Sequence, residues 1–155
     1  MNVKVGDLMV ANVLTANPDE TVGIIRKRIL KKHIHCLPVV DSEQHPVGII
    51  STSDLVALTH DLEAGLDELE KSDELLFGQV IERIGDGVGH QKVIELMSEQ
   101  VVSAGPDETV SVAAAQMLRE RIHRLPVVDG NRKLVGILST TDILSEFVKF
   151  AHSSV

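Results

Sequence analysis

The chain has 155 residues, 43% hydrophobic and 25% charged, with 2% aromatic, no Trp or Tyr, and a formal net charge of −8. Such an acidic chain lacks the basic surface that phosphate neutralisation requires, and so few aromatics leave no stacking platform for single strands, which excludes general nucleic-acid binding. One cysteine, Cys36, rules out an internal disulfide, Met1–Val10 lacks the apolar stretch of a signal peptide, and no apolar run approaches the ~18 residues that cross a bilayer. A cytoplasmic protein without a membrane partner is expected.

The charge is unevenly placed. Residues 59–92 hold nine acidic and three basic side chains, whereas 1–58 hold six of each and 93–155 hold eight and six. The two flanking segments are therefore near neutral and open to an anionic ligand. They are also copies of one another at a constant offset of 88 positions. Leu8-Met9 returns as Leu96-Met97, Pro18-Asp-Glu-Thr-Val22 as Pro106–Val110, and Ile34-His35 as Ile122-His123. Leu37-Pro-Val-Val-Asp41 returns as Leu125–Asp129, and Val47-Gly-Ile49 with Ser51-Thr52 and Asp54 as Val135–Ile137 with Ser139-Thr140 and Asp142. About half the positions between Val5 and Leu55 are identical to their counterparts, against ~5–10% by chance for such a composition.

In chain order, each copy reads β-α-β-β-α, an α+β pattern. A short extended piece (Val13–Thr15; Val101–Ser103) leads into a helix whose start is marked by Asp19-Glu20 or Asp107-Glu108, where carboxylates suit the helix dipole. Val22, Ile25, Ile29 and Leu30, and again Val110, Ala113, Met117 and Leu118, recur at helical spacing and predict one buried face. Two strand-length runs follow, Cys36–Val40 and Val47–Ile50, joined by a polar turn. In the second copy that turn is Asp129-Gly130-Asn131, a strong hairpin signal. A second helix is expected from Thr52 or Thr140. One copy alone buries its apolar faces poorly, so the two are expected to pack about a pseudo-twofold axis with two related clefts between them.

The domain reading is 1–58 for the first repeat, 59–90 for an acidic helical spacer and 91–155 for the second repeat. In the spacer, Leu58, Leu62, Leu66 and Leu69 continue a stripe begun at Leu55, and Leu75, Leu76, Val80, Ile81 and Ile84 suggest another helix. The stripe either covers the core or forms a dimer or partner surface. Gly85-Asp-Gly-Val-Gly89 lacks the preceding strand and following Lys-Ser/Thr of a phosphate loop, and reads as a turn.

The paired motifs, Asp7-Leu-Met9 with Glu95-Leu-Met97, the two His-x-Leu-Pro-Val-Val-Asp runs, and Gly48–Asp54 with Gly136–Asp142, resemble a tandem CBS-domain pair, also called a Bateman module. The resemblance covers all but the spacer and the last few residues. It implies a regulatory module that binds adenosine-containing ligands such as AMP, ADP, ATP or related adenosyl compounds. It further implies that the module needs no cofactor, pairs into a homodimer, and signals by conformational change to an effector protein still unknown. It places the nucleotide contacts on Ser51 with Asp54 and Ser139 with Asp142, on Thr15-Ala16 and Ser103-Ala104, and on His35-Cys36 and His123-Arg124.

The residue chemistry agrees. A carboxylate accepts from both hydroxyls of a ribose in charge-assisted bonds, while Ser51 and Ser139 stand where hydroxyls cap a helix. The same residues would equally serve as plain caps. A phosphate needs cations beside Asp54 and Asp142: Lys32, His33 and His35 in the first copy, and Arg121, His123, Arg124 and Lys133 in the second. Arg121 and Arg124 stand where the first copy has His33 and Cys36, so the more highly phosphorylated or tighter ligand is expected at the second copy. His33 and His35, even with His45, lack further ligands at metal spacing, and no metal site is expected. Nor does any nucleophile–base order stand out, so the chain is not expected to be an enzyme. The alternative to a sensor is a ligand-free dimerisation scaffold.

Overall fold

The structure, a computed structural model, describes residues 3–57 and 89–153. Almost all of the 59–90 spacer, including its leucine stripe and most of its Gly-rich turn, lies outside the described residues. The chain divides into two compact units: one comprises Met1–Val13, Ser42–Pro46 and Val101–Val155, the other Leu14–Asp41 and Val47–Gln100.

The unit holding most of the first repeat contains helix α2 (Val22–Lys32), strands β1 (Cys36–Val40) and β2 (Pro46–Ser51), and helix α3 from Thr52 to Val56. Val22, Ile25 and Ile29 on α2 are buried, as the three-and-four spacing requires. They join Leu37, Val39, Ile50 and Leu55 in one core. Strands β1 and β2 pair, Ala16 bridges Val39 in parallel on one side, and Ser98 bridges Ile49 antiparallel on the other.

The other unit repeats this plan with α4 (Val110–Glu120), β3 (Arg124–Val128), β4 (Leu134–Ser139) and α5 (Thr140–Ser153). Strands β3 and β4 are antiparallel, flanked by Ala104 on Val127 and Val10 on Ile137. The short helix α1 (Val5–Leu8) belongs here, with Val5 fully buried beside Ala113, Leu125 and Leu138. The segment before each repeat thus packs in the unit that holds the other repeat's hairpin. Two close contacts lock this exchange. An added Cβ on Gly136 would lie 2.9 Å from Met9 Cγ, and one on Gly48 would lie 2.9 Å from Met97 Cγ, so any larger residue would have to push the thioether off the strand.

Three sequence expectations shift. Helix α2 begins at Val22 with Thr21 as its cap and no acid in its first turn. Glu20 and Glu108 instead close a turn ahead of the helix, accepting from Asn17 and Gly105 N–H at 2.7 Å; a local hydrogen bond outcompetes a diffuse dipole. The extended pieces at Val13–Thr15 and Val101–Ser103 pair through one residue further on, Ala16 and Ala104. Leu118 is 81% exposed, because it sits one position past the buried Met117 stripe. The second hairpin forms as expected, with Arg132 as its left-handed residue, just as Gln44 is in the first. Asp129 Oδ1 accepts from the Asn131 and Lys133 N–H groups, the three-residue loop closed by a bulge.

Candidate functional site

In the first copy the site grows from the junction of β2 and α3. Ser51 is the N-cap of α3: Asp54 N–H donates to Ser51 Oγ at 3.2 Å, and Asp54 Oδ2 accepts from Ser51 N–H at 2.7 Å and from Ser51 Oγ at 2.6 Å. This reciprocal box satisfies the exposed donors of the helix start. Thr52 N–H donates to the His35 carbonyl at 2.9 Å, which brings the residues preceding β1 to the same place. On the far side of β1, Ala16 N–H donates to Pro38 and its carbonyl accepts from Val40, so Thr15-Ala16 runs along the strand that His35-Cys36 opens.

The second copy repeats these contacts. Asp142 Oδ2 accepts from Ser139 N–H at 2.8 Å and Ser139 Oγ at 2.5 Å, and Thr140 N–H donates to the His123 carbonyl at 3.0 Å. Arg124 lies directly across the ladder from Ser139. Ala104 is held between Pro126 and Val128 as Ala16 is between Pro38 and Val40. In both boxes Oδ2 carries the capping bonds, and among the described residues Oδ1 accepts none.

The phosphate candidates are placed unequally. Arg121 and His33 end α4 and α2 in the left-handed conformation, with φ of 55° and 50°, where glycine is the usual occupant. Lys32 lies in the last turn of α2, which favours a cation whatever else it meets. Lys133 is not brought to the site: it precedes β4, whose six residues at ~3.3 Å each separate it from Ser139. Lys32, Arg121, Arg124 and Lys133 form no ion pair among the described residues. Nor do three His, Cys, Asp or Glu side chains gather as a metal would need, among those residues. No helix in the described part is long and apolar enough to cross a membrane.

Sequence reasoning missed Arg28. Its guanidinium makes two bonds to the Glu20 carboxylate, at 2.6 and 3.1 Å, and a third to the Thr15 carbonyl at 2.5 Å. The Arg28 side chain beside it holds the Glu20 carboxyl below its usual pKa of 4.5, against the opposing effect of burial. The only signal in the sequence is an acid eight residues before a base, which is far too common to single out.

With this geometry in hand, the comparisons with known proteins are informative. The profile of the CBS domain family matches residues 5–61 and again 93–149. An uncharacterised protein of Methanocaldococcus jannaschii is 31% identical over 92% of the chain and 89% of its own length, and a CBS domain-containing protein of Dictyostelium discoideum is 30% identical over 96% and 94%. Two further archaeal relatives, both uncharacterised, are longer: the chain spans 39% of one, from Methanocaldococcus jannaschii, and 62% of the other, from Methanopyrus kandleri. Among solved structures, CBSX2 in complex with AMP superposes with a TM-score of 0.73 at 29% identity, covering 95% of this chain and 97% of that one. The CBS domain pair of protein MJ0100, in complex with 5′-methylthioadenosine and S-adenosyl-L-methionine, does so with a TM-score of 0.71 at 25% identity, covering 96% and 98%.

Proposed function

The chain belongs to the CBS domain family, with two copies of the domain, and from that premise we propose that it is a regulatory sensor of adenosine-containing ligands. The observation that carries this reading is the arrangement repeated in each unit. A helix-capping carboxylate keeps one oxygen, Asp54 or Asp142 Oδ1, outside the capping bonds, next to the strand start at His35 or His123. That oxygen suits a ribose diol, while backbone flanking Ala16 or Ala104 suits the edge of a base. Solved relatives bound to AMP, 5′-methylthioadenosine and S-adenosyl-L-methionine support the ligand class. In the second copy, Arg124 stands opposite Ser139 and supports a phosphorylated ligand there. The ligand shifts whichever arrangement of the chain binds it more tightly, and an effector protein reads that shift; no cofactor is needed.

A thermal-shift panel of AMP, ADP, ATP and S-adenosylmethionine tests the reading. A ligand at ~100 times its dissociation constant adds about 2.7 kcal/mol of stability. A flat response to all four favours the ligand-free scaffold instead.

Self-association with a second copy is part of the same proposal. On α5, Leu144, Phe147 and Val148 are 62%, 60% and 51% exposed. Two such helices set antiparallel, centred between Phe147 and Val148, would place Glu146 opposite Lys149 of the partner subunit, an apolar stripe with matched charges at its flank.

A further inference from the structure

We propose that Arg28 is a positioning residue that holds the first copy's ligand site in its binding shape, and that the second copy lacks this device. The inference rests on the reading of Thr15-Ala16 as the base-contacting backbone. That backbone leaves β1 at Ala16 and turns through Asn17–Glu20 into α2. Arg28, two turns into α2, reaches back and ties the segment at both ends: it donates to the Thr15 carbonyl at 2.5 Å and grips both oxygens of Glu20. Glu20 in turn accepts from Asn17 N–H, and Asn17 Oδ1 accepts from Asp19 N–H at 3.0 Å. Every turn of the segment is therefore braced to one guanidinium, whose five donors in a rigid plane suit this three-way task as an ammonium would not. The Arg28 and Glu20 side chains are 27% and 24% exposed, so the brace is partly shielded from solvent.

The offset of 88 supplies the control within the same molecule. Glu108 occupies the place of Glu20 and accepts from Gly105 N–H at 2.7 Å, so the turn itself is kept. The place of Arg28 is taken by Gln116, the place of Asn17 by Gly105, and no side chain among the described residues donates to the Ser103 carbonyl. Among the described residues, the second copy's base-contacting backbone is thus held by its strand and the Glu108 turn, with no guanidinium tying the two together. Pre-ordering a binding segment raises affinity by removing the cost of ordering it on binding. The first copy accordingly presents a preset surface for the base, while the second depends on its arginines and a phosphate.

Titration of the full chain with AMP, ATP or S-adenosylmethionine, followed by the amide resonances of Ala16 and Ala104, reads the two copies separately. Arg28→Gln should weaken binding at Ala16 about tenfold and leave Ala104 unchanged, as expected for loss of a preorganising contact. The decisive variant is the reverse exchange: Gln116→Arg, at the position that the offset of 88 matches to Arg28, should strengthen binding at Ala104 severalfold, a gain that no general loss of fold can produce. Arg28→Lys should not restore the wild-type affinity at Ala16. Affinities unchanged within twofold in both Arg28→Gln and Gln116→Arg, or equal weakening at both amides, would overturn the brace alone. A wild-type chain in which none of the three ligands moves either amide overturns the ligand-site reading itself, and the brace with it.

Discussion

The two units differ least in their backbones and most in what stands around the site. At four positions related by the offset of 88, namely His33 with Arg121 and Gln44 with Arg132, a residue other than glycine adopts the left-handed conformation. The serine–aspartate box, the methionine laid over a strand glycine, and the exposed ion pairs Lys92–Asp19 and Lys4–Asp107 also recur. Against this constancy, the first copy has an Arg28–Glu20 brace and no arginine at the start of β1, while the second has Arg124 there and Gln116 in place of the brace. The second helices differ as well: Val56 on α3 is 1% exposed and its counterpart Leu144 on α5 is 62% exposed. What the two copies share are the carboxylates that close turns and caps, whereas the cations beside the box and the exposure of the last helix differ.

That contrast can be broken most severely at the carboxylates. Asp54→Asn and Asp142→Asn keep a capping oxygen but remove a charged acceptor, and each should cost its own copy tenfold or more in affinity for an adenosine ligand by calorimetry, since bonds to charged groups are worth about 1.5–3 kcal/mol. Parallel losses would make the two sites equal in this respect, and no loss would leave the aspartates as caps. Next come the glycines. Gly48→Ala and Gly136→Ala drive a methyl into Met97 and Met9 and should each lower unfolding stability by about 1–3 kcal/mol in denaturant. A loss confined to one would show that the exchanged segments are not equivalent. Phe147→Glu should shift the chain to a monomer in light scattering, whereas the same measurement on wild type should give a dimer.

Smaller effects separate the copies by pH and by strain. Glu20 is held below its usual pKa of 4.5 by Arg28, so its contribution to stability is present above that pH and is lost as pH falls through the lower, folded value. Arg28→Gln should remove this acid sensitivity, a difference of no more than about 1 kcal/mol between urea unfolding at pH 7 and near pH 3. If the variant and wild type lose stability in parallel on acidification, the pair contributes nothing. Arg121→Gly and His33→Gly relieve a left-handed side chain and should each raise the melting temperature slightly, by roughly 1 kcal/mol of stability. Arg121→Gly should at the same time weaken ATP more than S-adenosylmethionine at the second copy.

Much of the fold was legible before any coordinates, and for simple reasons. The strand Cys36–Val40 and the helix starts at Thr52 and Thr140 follow from an unbroken apolar run and from a serine with an acid three residues on, both local signals. The helix start at Val22 was misread, because Glu20 was assigned to a dipole when its partner was an N–H three residues back. The second hairpin was legible in Asp129-Gly130-Asn131, whereas nothing in the sequence singled out Arg132 as its left-handed residue. The spacing of Ser51 with Asp54 and of Ser139 with Asp142 was enough to read two helix caps, while their role toward a ligand is what the resemblance to a CBS-domain pair implies. The remoteness of Lys133 could be seen only once the ladder register was known, and Arg28 only once α2 had folded back over the turn.

By itself the sequence determined that one unit is written twice, which strands and helices each copy contains, and that the two copies carry unequal cations. These are properties of spacing and residue type, which survive any arrangement of the elements. Only the tertiary structure decided that the segment before each repeat completes the other repeat's unit, that Met9 rests on Gly136 and Met97 on Gly48, and that Arg28 ties Glu20 to the Thr15 carbonyl. Those facts depend on which surfaces meet, and contacts at such unrelated separations leave no period in the chain from which to read them.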